Sequence, residues 1–240
     1  MPAIGSLYLE EILEYNKKGK ISNDIIKSVY ERLPCLEKAI NDVEVASAIK
    51  YPPIYVDPLL KIISYPASEY SNGVIYALSN IRQFGECYKL CVDLSLPFLL
   101  YAPEETLRAC VAHEFLHYVF ISIAIGNKQL MSLSSEGVDV PEAHIIFDET
   151  HTVKAEDWLN SRELQEIVHK VFSPVVKNHE LEMSIKDRWI KLGLPLVQIS
   201  ADENKVKIPI LEIDRIPLDI NILEKARRIS QTAAQKGQVF

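Results

Sequence analysis

The sequence predicts an α+β protein, and three observations carry that prediction. Helical periodicity fills the first fifty residues. Between 51 and 102 it gives way to short runs rich in Val, Ile, Tyr and Leu, separated by prolines and turn residues. One long apolar helix then spans about 103–127, and helices alternate with short strands to the end of the chain.

The elements follow in order. "SLYLEEILEYNKKG" reads as a helix with Ser6 as its N-cap and Gly19 as its stop. "SNDIIKSVYERL" reads as a second helix capped by Asn23 or Asp24, and Pro34 breaks or kinks it before "CLEKAINDVEVASAIK" resumes the pattern. Pro52, Pro53 and Pro58 punctuate "IYV" and "LLKIIS". Residues 73–79 ("GVIYALS"), 88–95 ("YKLCVDLS") and 98–102 ("FLLYA") read as strands. In "PEETLRACVAHEFLHYVFISIAIGN" (103–127), Pro103 suits a first turn, Glu104 and Glu105 suit the positive end of a helix dipole, and Gly126 suits a terminus. A polar stretch, 128–144, could line or cover a cleft beside that helix. Further helices are expected over 153–172 and 179–193. A hairpin of "LVQIS" and "KVKIPILEI" follows, then a last helix after Asp219. The domain division expected is a helical segment 1–50, a core 51–172 and a C-terminal lobe 173–240.

Composition narrows the function classes. With 48% hydrophobic residues and 25% charged, 240 residues can bury a dry, shaped site. The net charge of −7 argues against nucleic acid as a partner, since phosphate binding needs a basic surface. The basic cluster at 224–236 reads as a solvated helix face. Neither a secretion signal nor an uninterrupted apolar run of roughly 18 residues is visible, so no membrane partner is expected. The four cysteines (Cys35, Cys87, Cys91, Cys110) form no CxxC pair and read as buried free thiols. The expected location is cytoplasmic.

The chemistry lies in "VAHEFLHYVF" (111–120). On a helix, His113 and His117 project from one face about one turn apart, so two imidazoles can reach one ion. Glu114 sits about 100° around the helix, too far to ligate that ion but close enough to act on a water beside it. HExxH with those roles is a zinc site with a general base: the metal-bound water attacks, and Glu114 takes its proton. Chance would produce the pattern in roughly one such chain in a hundred, so its surroundings matter. The flanking residues from Val111 to Val119 are uncharged apart from the motif itself, and burying an unpartnered Glu114 in an inert core would be costly.

On these residues the chain resembles the zincin superfamily of zinc metallopeptidases, over about 73–172. The resemblance implies a small twisted sheet packed on a backing helix and an active-site helix, zinc as cofactor, and peptide or protein substrates. It also implies His113 and His117 as ligands and Glu114 as catalyst. The metzincin continuation is absent, because "YVFISIAI" follows His117. "EDWLNSREL" (156–164) is similar to the third-ligand stretch of ImmA/IrrE-type gluzincins, with Leu159 where that pattern has a small residue. It nominates Glu156 as third ligand and Asn160 as a support for a ligand histidine. Glu149, Asp148, His144 and His151 remain alternatives. A zincin-fold regulatory or binding protein with little or no hydrolytic activity is the second reading.

Overall fold

The computed structural model describes residues 7–64, 72–127, 144–148, 150–172, 179–200, 203 and 205–235. It is a mixed helix-and-strand fold with small sheets. Strand β1 (Leu7–Tyr8) precedes helices α1 (Glu10–Lys17) and α2 (Asn23–Ser47). Strands β2 (Ile54–Asp57), β3 (Leu60–Ser64), β4 (Asn72–Val74), β5 (Ala77–Phe84) and β6 (Cys87–Ser95) follow. Next come α3 (Leu96–Tyr101), α4 (Glu104–Gly126), β7 (His144–Phe147), α5 (Ala155–Trp158) and α6 (Arg162–Phe172). The chain continues through α7 (His179–Lys191), β8 (Leu196–Ser200), β9 (Val206–Pro209), a 3-10 turn at Ile210–Arg215 and α8 (Ile220–Gln235).

The main sheet has the order β1-β2-β6-β5, with β1, β2 and β6 parallel and β5 antiparallel to β6. Side chains alternate across it with the strand period of two. Ile54, Val56, Val92 and Leu94 face the main core, where Leu36, Ala39 and Val43 of α2 and Leu107, Val111 and Phe115 of α4 meet them. The opposite face carries Tyr8 stacked on Tyr55, the Arg82 guanidinium over the Tyr55 ring, and Asp93 bound by Arg82 and Asn80. Arg82 also pairs with Glu11, which ties α1 to this face.

Helix α4 is apolar on every side because protein covers it on every side. It packs against α2, α6 and α8 and contacts β5 and β6. In length and composition it could cross a membrane, yet 72% of its most apolar window is buried inside the protein. Ion pairs fasten its first turns: Arg108 bridges Asp42 of α2 and Glu163 of α6, and Lys170 of α6 reaches Glu105. The buried core is continuous across the three expected segments, taking Ile12 and Val29 from the first and Ile185, Trp189 and Ile222 from the last.

Several expectations are corrected. Helix α2 runs unbroken through Pro34, and Ser22 rather than Asn23 or Asp24 caps it, accepting from the Ile25 N–H. Residues 98–101 of the run 98–102 are helical, within α3. A short apolar stretch does not reveal its period, and Pro97 in the first turn favours the helix. Residues 73–79 divide between β4 and β5. The expected C-terminal hairpin does not form: β8 pairs in parallel with β3, while β9 pairs antiparallel with β7. The helix expected over 153–172 is two. Ser161 starts α6 by accepting from the Leu164 N–H, and the Asn160 N–H leaves the helix path to donate to Ala46 O.

The basic C-terminal helix is not simply solvated. Lys225 Nζ donates to Ser47 O and Trp158 O, the final carbonyls of α2 and α5. All four cysteines are free; Cys91 and Cys110 are buried, while Cys87 is exposed.

Candidate metal centre

Helix α4 presents its motif to three different neighbours. His113 and His117 sit on one face, with ring centroids 4.6 Å apart and ring planes at 90°. Their Nε2 atoms lie 3.1 Å apart. Two nitrogens bound to one tetrahedral zinc at ordinary Zn–N lengths stand about 3.3 Å apart, so the separation of this pair matches that of two ligands of one ion. Among the described residues, His113, Glu114 and His117 form a group whose potential ligand atoms all lie within 4.8 Å of one another.

Each side chain is oriented by something outside the helix. His117 Nδ1–H donates to His151 O at 2.9 Å, which leaves its Nε2 lone pair for a metal or another acceptor role. That carbonyl belongs to a tight turn. The Asp148 carboxylate accepts from the Thr150 amide and hydroxyl and contacts His151 Nδ1 at 2.8 Å. The Thr150 hydroxyl is the main influence holding the Asp148 carboxyl below its usual range. His113 lies flat against Phe172, the last residue of α6, with centroids 3.9 Å apart and planes within 2°. Burial, with help from His117, lowers the His113 pKa to about 3, so it stays neutral as a ligand must.

Glu114 faces strand β5. Its side chain is buried, and its Oε2 accepts from the Ser79 hydroxyl at 3.1 Å. Burial raises its pKa above the ordinary carboxylate value, while His117 and Ser79 pull it back. The acid therefore has a partner, at a place where the sequence names none.

The other candidates are placed as follows. Glu156 lies in α5 with its side chain 54% exposed, and its carboxylate meets His169 Nε2 at 2.6 Å. Glu156 is not in the group formed by His113, Glu114 and His117; it sits in a separate four-residue helix with its carboxylate held by His169. Asn160 is exposed and supports neither histidine through the hydrogen bonds described; His151 O takes that role for His117. His151 approaches His117 by its backbone, while its ring packs near Phe120 and Phe147. Asp148 is engaged within its own turn, and His144 is exposed on β7. Glu149 and most of the expected cleft loop, 128–143, lie outside the described residues.

Three contributors escaped the sequence reading: Ser79, Phe172 and the carbonyl of His151. No local pattern marks them. Ser79 is one serine in a strand, Phe172 one apolar residue at a helix end, and a backbone carbonyl has no residue signature. The donor set of two imidazoles, one oriented by a carbonyl, beside a buried acid fits zinc. No family model, no curated protein and no solved structure matches the chain.

Proposed function

We propose that this protein is a zinc-dependent metallopeptidase of the zincin type, acting on peptide or protein substrates in the cytoplasm rather than on nucleic acid or membranes. One observation carries the reading: two Nε2 atoms 3.1 Å apart on α4, with the Glu114 carboxylate beside them. A small sheet backed by α2, with α4 packed on the same core, agrees with the fold that the motif suggests.

His113 and His117 would hold the ion through Nε2. Bound there, zinc supplies Lewis acidity that acidifies a water and polarises a carbonyl oxygen. Glu114 supplies the base. Its Oε2 accepts from Ser79, and the carboxylate takes a proton and later returns it to the leaving amine. The apolar residues around the motif, Val111, Phe115, Leu116 and Val119, keep the centre dry and strengthen these electrostatics.

The test separates binding from chemistry. His113→Ala and His117→Ala should each lose most of the zinc retained by the wild type after chelator-free purification. Glu114→Gln should keep its zinc and lose about 10²- to 10⁴-fold in turnover of a quenched peptide library. Stoichiometric zinc in the double His→Ala variant would refute the metal assignment. The second reading, a zinc-binding regulatory protein, draws on the grouping of only two imidazoles and one acid among the described residues. It predicts bound zinc with no turnover in either wild type or Glu114→Gln.

A further inference from the structure

We propose that Ser79 is the positioning residue for Glu114, setting from strand β5 which carboxylate oxygen does the proton transfer. The kinetic part of this inference rests on the peptidase reading; the contact itself does not.

The inward positions of β5 are Ala77, Ser79 and Ile81, two residues apart along the strand. Ala77 and Ile81 pack into apolar clusters. Ser79 is the buried residue of this strand and the polar member of that row. A buried hydroxyl costs free energy unless it is hydrogen-bonded, and this one donates to Glu114 Oε2 at 3.1 Å. This contact restricts the terminal torsion, which is broad in an unrestrained glutamate. With Oε2 engaged by Ser79, proton transfer falls to the other oxygen, Oε1.

The side chain must be small and must donate. Alanine would leave Oε2 without the hydroxyl, and a branched apolar residue would press on the carboxylate. Ser79 is buried and pairs across the strands to Val92, so its hydroxyl reaches Glu114 from inside the fold. Ser79 touches neither imidazole in any hydrogen bond described, so its effect on zinc must pass through Glu114.

The experiment uses the full chain. Ser79→Ala, Ser79→Thr, Ser79→Cys and Glu114→Gln, with the Ser79→Ala/Glu114→Gln double variant, are compared for zinc content and for kcat and KM on the peptide library. Ser79→Ala should lower kcat about tenfold, the size typical of removing a partner that orients a reactive group, with zinc content and KM unchanged. Ser79→Thr should recover most of the loss, and the weak thiol donor of Ser79→Cys should fall between. In the Glu114→Gln background Ser79→Ala should have no further effect on kcat.

A second measurement reads the contact without turnover. In chelator, Ser79→Ala should lower the unfolding midpoint by about 5 °C when Glu114 is present, and by much less when Glu114 is alanine. Wild-type kcat in Ser79→Ala, or equal kcat losses in both Glu114 backgrounds, would overturn the positioning role. Equal midpoint shifts in both backgrounds would overturn the contact. A zinc-loaded wild type without turnover would remove the peptidase reading and the kinetic role together, with the unfolding cycle still deciding the contact, so the two failures are distinguishable.

Discussion

Truncating Phe172 separates packing from metal affinity at this centre. The Phe172 ring lies parallel to the His113 imidazole with centroids 3.9 Å apart, and Phe172 is half-buried at the end of α6. Full burial makes Phe→Ala cost about 3–5 kcal/mol, so half-burial suggests about 2 kcal/mol in the metal-free protein. The stacked contact itself is worth about 0.5–1.5 kcal/mol beyond area. If that energy holds the His113 ring in its ligating orientation, its loss should appear in zinc affinity as a two- to twelvefold rise in Kd, roughly. Phe172→Leu keeps most of the volume and should recover stability but not affinity. Urea unfolding in chelator gives the first quantity, and competition with a chromogenic chelator gives the second. An unchanged zinc Kd in a destabilised Phe172→Ala protein would refute the orienting role and leave the ring as packing alone.

Three other outcomes are expected. Lys225→Met should destabilise the fold by about 2–4 kcal/mol, because it leaves the Ser47 and Trp158 carbonyls without their charged donor; urea unfolding checks it, and a loss below about 0.5 kcal/mol would contradict it. Arg82→Ala should cost about 3 kcal/mol, since the Asp93 side chain is only 4% exposed and would lose its charge partner; Arg82→Ala/Asp93→Asn should recover part of the loss in the same assay. Glu156→Ala should leave zinc affinity within about twofold, because Glu156 pairs with His169 away from the histidine pair. A tenfold loss in the chelator competition would show instead that Glu156 serves as the third ligand, as the resemblance to gluzincins implies.

What the sequence determined by itself is local. The span of α4 was legible from Pro103, the two glutamates after it and Gly126, and the co-facial histidines were legible because a spacing of four in a helix is a geometric statement. Strand β6 was legible from its β-branched and aromatic run. Tertiary structure decided everything that depends on which element meets which. It put residues 98–101 into helix α3, where a short apolar run had looked like a strand, and it divided β8 and β9 between two sheets. It let Ser161 restart the chain as α6, leaving Glu156 on a separate turn. It also chose the partners of the motif: Ser79 from 35 residues upstream of Glu114, the His151 carbonyl from 34 residues beyond His117, and the Phe172 ring on His113. Helix spacing is set by bonds along the backbone, whereas those three contacts arise only when strands and helices bury their apolar faces together, and nothing near the motif in sequence encodes them.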